Sequence, residues 1–175
     1  ECRDPVLRNV ADRLPQRRFE YVPLWAIPLF LLYGLRRVEC PQCGVTAEWV
    51  PWCDGKHAQC TTYRWFLARW ARRLSWLEVA TVFRASWDSV YRAVEYAVSW
   101  GLAHRQLQGI RAIGVDEVQW QRGHKYLTLV YQIDAGLRRL LWVGRDREEE
   151  SLRGFFRELP ALVCRGLRYV CSDMW

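Results

Sequence analysis

The apolar positions of this chain change their period along its length. Residues 61–105 carry a helical pattern: Tyr63, Phe66, Leu67, Trp70, Ala71 and Leu74 share one face, while Arg64, Arg69, Arg72 and Arg73 fall largely elsewhere. Ser75 and Glu78 form a capping-box pattern that sets the start of a second helix at about Trp76, closing near Phe83. Arg84-Ala85-Ser86 reads as a tight turn, with Ser86 as N-cap of a further helix through about Trp100, and Gly101 as its stop.

From Ile110 the period becomes two. Strand one is predicted at Ala112–Gln119, a turn at Arg122-Gly123, strand two at Tyr126–Asp134, a turn at Ala135-Gly136 and strand three at Arg139–Val143. A helix follows, with Glu148, Glu149 and Glu150 suited to its positive N-terminus. Leu152, Phe155, Phe156 and Leu159 make its apolar stripe, Pro160 ends it, and strand four is Leu167–Ser172. Residues 1–60 show no helical period. There, Arg18 to Tyr33 reads as one or two strands in a small, loop-rich module. The apolar run Val22 to Leu35, broken by Pro23 and Pro28, is too short to span about 30 Å of hydrocarbon and is expected to be buried strand.

Composition adds a polyanionic partner to this picture. The net charge is +7, carried almost wholly by arginine, since Lys56 and Lys125 are the lysines. Residues 1–109 hold 15 basic and 10 acidic side chains, residues 110–175 hold 11 and 9, so the excess lies N-terminal. Arginine binds phosphate bidentately, so a basic arginine-rich half suggests a polyanionic partner. Seven cysteines without a visible signal peptide argue for thiol or metal use rather than a disulfide framework. The chain lacks an initiator Met and stops at Trp175 within a half-built α/β pattern, so a longer parent protein is expected.

Three groups of residues carry candidate chemistry. Cys40-Pro41-Gln42-Cys43-Gly44 is half of a zinc-knuckle site, and its second ligand pair would come from Cys2 or from Cys53, His57 and Cys60. Cys164 and Cys171 lie on apolar elements and read as core, and His57 and His104 as surface. Residues 75–100 fit a helix-turn-helix, in which Val90, Val94 and Ala97 face the core and Trp87, Asp88, Ser89, Tyr91 and Arg92 are exposed. Asp116 sits among apolar strand residues, where a carboxylate needs a compensating metal or cation. Asp on strand one, two antiparallel strands, a helix, then Asp173 after strand four is the order of a ribonuclease-H-like sheet. In that order strands one and four are neighbours, so Asp116 and Asp173 would share divalent cations for phosphoryl transfer. Glu117 points to the other side and receives no metal role.

Several segments together resemble the insertion-sequence transposases of the ISL-three group. They are residues 36–44, Val50-Pro51-Trp52, residues 74–80, Ala112 to Glu117, Gly123 to Tyr131 and Cys171 to Trp175. The resemblance covers nearly the whole chain. It implies a mixed α+β architecture in three parts: a zinc-finger-like β module over 1–60, a helix-turn-helix region over 61–108, and over 109–175 the N-terminal half of a DDE ribonuclease-H-like domain (β-β-β-α-β). It implies that Asp116 and Asp173 are the first two acidic residues of the triad and hold Mg²⁺ or Mn²⁺. It also implies that Cys40 and Cys43 are the second zinc pair, and Cys2 the remaining member of the first. The third acidic residue is not among these 175, so the segment by itself is expected to be inactive. Arg72, Arg73, Trp87, Ser89, Tyr91 and Arg92 are the expected DNA contacts. The partners would be terminal-repeat and target DNA and further copies of the protein in a synaptic complex, in a bacterial cytoplasm at the nucleoid. The rival readings are a zinc-dependent DNA-binding protein with a dead α/β remnant, and a ribonuclease-H-like nuclease.

Overall fold

The computed structural model describes residues 10–40, 44–54 and 57–173 and divides the chain into two compact units, Glu1–His104 and Arg105–Trp175. The secondary structure is mixed α+β in sheets and helices.

The first unit begins with β1 (Val10–Arg13), β2 (Arg17–Leu24), β3 (Ile27–Tyr33), β4 (Arg36–Cys40) and β5 (Gly44–Ala47). Antiparallel pairing gives a sheet in the order β1-β4-β5 and a separate β2-β3 hairpin. The hairpin turns through Trp25 and Ala26, both with positive φ (49° and 63°), which matches the twist that two-residue hairpin loops require. This hairpin corrects the expectation of a buried strand from Val22 to Leu35. Phe19 is fully buried, but Trp25 is 86% exposed, and Leu24, Ile27 and Leu32 are also largely open to solvent. A two-stranded ribbon has two faces, and only the one carrying Phe19 and Leu31 packs against Leu35, Val50, Cys53 and Cys60.

Three helices complete this unit: α1 (Thr61–Trp70), α2 (Trp76–Phe83) and α3 (Trp87–Ala103). Their starts follow from local chemistry. Glu78 N donates to Ser75 Oγ (3.3 Å) and Ser75 N donates to the Glu78 carboxylate (2.8 Å), which closes the capping box. Ser75 Oγ also donates to the Glu78 carboxylate (2.7 Å), and this bond together with the one from Ser75 N holds the Glu78 carboxyl below its ordinary range. Ser86 Oγ accepts from Ser89 N (3.0 Å) at the start of α3. Between α2 and α3 the chain reverses at Arg84, whose φ of 52° is left-handed. The helix α3 runs past the expected stop at Gly101 and ends at Ala103. A glycine within a helix costs about 1 kcal/mol, which a long helix absorbs. Tyr63, Leu67, Val79, Ala80, Val90 and Ala93 form the helical core.

The second unit holds β6 (Ala112–Gln121), β7 (Lys125–Gln132), β8 (Arg139–Arg145), α4 (Glu149–Glu158), α5 (Ala161–Gly166) and β9 (Tyr169–Ser172). Its sheet has the order β8-β7-β6-β9, antiparallel except for the parallel β6–β9 pair. Strand one therefore lies beside strand four, as the order of elements implies. The sequence reading ended its helix at Pro160 and overlooked α5. Leu159 is extended (φ −79°, ψ 130°), as a residue before proline prefers, and Pro160 then opens the next helix.

Both helices lie on one face of the sheet, where Ile113, Val130 and Leu141 meet Phe155, Leu159 and Val163. Gly144 makes room for the Trp142 ring, since a Cβ there would stand 2.1 Å from it. No helix among the described residues is long and apolar enough to cross a membrane.

Candidate functional site

The parallel register fixes the position of the two aspartates. Val115 pairs with Ser172 across the β6–β9 seam, so Asp116 and Asp173 occupy the next position on each chain. In a parallel pair, residues at one register position share a face. Both aspartates line one open cavity of about 510 Å³ together with Gly114, Tyr131, Arg138 and Leu140. This is the sheet face opposite α4 and α5, because the alternation that turns Ile113 and Val130 into the core turns Asp116 outward.

The structure corrects the reason given for singling out Asp116. Asp116 is exposed, and so is Asp173. An exposed carboxylate needs no buried countercharge, so burial cannot carry the case for a metal; the convergence of two carboxylates in one cavity carries it instead. Asp116 Oδ1 accepts a hydrogen bond from Glu117 N (2.8 Å), which orients the carboxylate. The other sheet face takes Glu117, which pairs with Arg147 at 2.6 Å. Two carboxylates supply hard oxygen donors, a set that fits a divalent cation completed by water and phosphate oxygens. Among the described residues, no three His, Cys, Asp or Glu side chains gather into a metal-binding group, so this site is a pair.

Sequence reasoning missed two features of this cavity. Arg138 is an exposed cation on its wall, just before β8, placed to meet an anionic ligand. Behind it, Gln132 (1% exposed) donates to Asp134 (2.7 Å) and accepts from Arg139 Nε (2.7 Å). That network ties the ends of β7 and β8 together. The position of Arg138 beside the Ala135-Gly136 turn was readable, but only strand register brings it to the aspartates.

The cysteine positions are partly visible. Cys40 is buried at the end of β4, opposite Gly44, while Cys2 and Cys43 lie outside the described residues. Cys53 and Cys60 belong to the apolar core around Phe19. Burial pushes the Cys60 thiol up to about 11, with the neighbouring Cys53 adding to the effect, and burial raises Cys53 as well. Cys164 is half-buried, whereas Cys171, expected in the core, is exposed on β9. The reason is the face it shares with Gly114, its register partner.

Of the expected DNA contacts, Arg72, Arg73, Trp87, Tyr91 and Arg92 are exposed and Ser89 is half-buried. Trp87 stacks on Tyr91 (5.7 Å between centroids) and both meet Trp76, giving an aromatic surface at the start of α3. Arg92 pairs with Asp88 at 3.0 Å. The expected core positions of α3 hold in graded form: Val90 is fully buried, Val94 and Ala97 half-buried.

A four-stranded sheet with strand one beside strand four and paired carboxylates at their seam is consistent with part of a ribonuclease-H-like domain. Residues 113–175 match a transposase family, DDE_Tnp_ISL3. The chain is similar to the transposase for insertion sequence element IS1557 of Mycobacterium tuberculosis, 30% identical over 162 residues, which is 90% of this chain and 35% of that protein. It is also similar to the transposase for insertion sequence element IS1001 of Bordetella parapertussis, 28% identical over 166 residues, covering 90% and 39%. The chain thus spans little more than a third of the length of these curated relatives. No solved structure matches it.

Proposed function

We propose that this chain forms part of a DDE-type DNA transposase, an enzyme that cleaves a phosphodiester at transposon ends and joins the 3′-hydroxyl to target DNA. The observation that carries the reading is the placing of Asp116 and Asp173 side by side in one cavity, on a segment that matches a transposase family. Asp116 and Asp173 would hold Mg²⁺ or Mn²⁺, which supplies Lewis-acid polarisation of the phosphodiester when bound. Arg138 would hold the phosphate in register with the carboxylates, countering its negative charge. The β6–β7 pairing beneath Asp116 keeps that carboxylate on a strand and not a loop, which favours precise positioning.

In the first unit, α2 and α3 would act as a helix-turn-helix, with Arg72 and Arg73 on backbone phosphates and Trp87, Ser89, Tyr91 and Arg92 near the bases. Cys40 and Cys43, with Cys2, would ligate Zn²⁺ in an N-terminal module over residues 1–60. Self-association in a synaptic complex and residence at the bacterial nucleoid belong to the same reading.

The test is end cleavage and strand transfer by the protein encoded by this gene, on a duplex carrying its terminal repeat. Mg²⁺-dependent joining, lost in chelator, is expected. End-specific binding without joining would instead support a DNA-binding protein with a dead catalytic remnant. Equal cutting of RNA–DNA hybrids would support a nuclease.

A further inference from the structure

Within the first unit lies a second cavity, of about 300 Å³, bounded by β2, the segment after Cys53 and the first turns of α3. The unusual member of its wall is Arg64, on α1 and off the apolar face that the helical pattern predicts. Arg64 is 6% exposed, and its Nη1 is buried without a hydrogen-bond partner among the described residues. Its guanidinium lies 3.6 Å from the centroid of the Tyr96 ring, a favourable but weak contact beside a full hydrogen bond. Burying an arginine with an orphaned N–H is costly unless an anion comes to meet it.

The rest of the wall suits an anion. Arg18, whose guanidinium carbon lies 4.1 Å from the centroid of the Phe30 ring, also lines the cavity. His57 lines it as well. The two carboxylates in the wall are already engaged: Asp88 by Arg92 at 3.0 Å, and Glu20 by Gln59 Nε2 at 3.2 Å. The opposing charges are therefore partly satisfied, while Arg64 and Arg18 keep unspent hydrogen-bonding capacity. The cavity also opens beside Ser89 and Arg92, on the stretch of α3 read above as DNA-facing.

We infer that this cavity is a phosphate-binding site in which Arg64 and Arg18 grip one backbone phosphate of a DNA duplex. The identity of the ligand rests on the DNA-binding reading; the presence of an oxyanion site does not. Planar, weakly hydrated guanidinium groups are suited to bidentate phosphate recognition in a partly dry pocket. Such a contact fixes the register of the protein on the duplex without reading bases.

The test compares the 175-residue chain with its Arg64→Met and Arg18→Ala variants. Binding to a fluorescent duplex of two helical turns is measured as a function of salt. Each variant is expected to bind about 10-fold more weakly at about 50 mM salt, with the slope of log affinity against log salt flattened by about 0.9. In parallel, inorganic phosphate is expected to raise the melting temperature of the wild type more than chloride at equal ionic strength, and to lose that effect in Arg64→Met. Wild-type affinity and slope in both variants would overturn the inference, as would equal phosphate protection of wild type and Arg64→Met. If Arg64→Met does not fold, Arg18→Ala, an exposed position, decides the matter alone. If the wild type does not bind duplex while phosphate still protects it through Arg64, the DNA reading falls and the oxyanion site stands.

Discussion

Replacing Asp116 by alanine is expected to abolish the strand transfer proposed for the protein encoded by this gene, with a rate loss of about 10³-fold or more, and to leave its melting temperature unchanged. The size follows from the work asked of the carboxylate. Holding a divalent cation against a phosphodiester contributes several kcal/mol of charge stabilisation, and each 1.4 kcal/mol, roughly, is tenfold in rate. The lack of effect on stability follows from exposure. Asp116 makes one hydrogen bond, to the neighbouring Glu117 N, and surface substitutions of this kind stay within about 0.5 kcal/mol. Asp173→Ala behaves alike. The double variant is expected to lose little more than either single one, because two ligands of one site would act as a unit. Strand-transfer rates and thermal melts on the same preparations check the prediction, and substantial activity in either variant would remove that residue from the site.

The largest stability effect lies on the far face of the same sheet. Phe155→Ala is expected to cost about 3–5 kcal/mol. Phe155 is 3% exposed and packs among Ile113, Val130, Leu141 and Leu159, so its removal empties the middle of the second unit's core. A unit of this size has only about 0.05–0.15 kcal/mol per residue in hand. The substitution therefore takes most of its stability, and urea titration should show that unit unfolding at far lower denaturant. Leu162→Ala is the control: Leu162 is 83% exposed, so its loss should barely move the transition. A small effect at Phe155 would mean that the helix-covered core is not what holds the sheet together.

The two predictions together separate what the sequence could disclose from what it could not. Local chemistry was readable. Ser75 with Glu78 announced a helix start because the two side chains satisfy backbone N–H groups only three residues away. The apolar stripe through Leu152, Phe155 and Leu159 announced α4 and the side it buries. The order of elements was enough to bring Asp116 beside Asp173, since few sheet topologies accommodate three antiparallel strands, a crossover and a fourth strand.

Burial was less readable, because it depends on what covers a face. Val22 to Leu35 looked like buried strand by composition alone, yet its hairpin leaves Trp25 at 86% exposure and Ile27 and Leu32 largely open. Arg64 falls off the apolar face of its helical pattern, yet it is buried, with β2 and α3 beside it. Asp116 looked costly among apolar neighbours, yet strand alternation turns it outward. Arg138 and the Gln132–Arg139 contact depend on register between strands distant from β9, which no local pattern encodes. Helix α5 escaped because a proline that ends one helix can also begin the next.

The central claim is that Asp116 and Asp173 share one divalent ion. Manganese titration of the ¹⁵N-labelled 175-residue chain tests it most directly, because paramagnetic broadening reports which amides lie beside the bound ion. Broadening centred on residues 115–117 and 171–173, competed by Mg²⁺ and lost in both Asp116→Ala and Asp173→Ala, is the expected result. Broadening of one aspartate without the other, or at neither, would contradict the account.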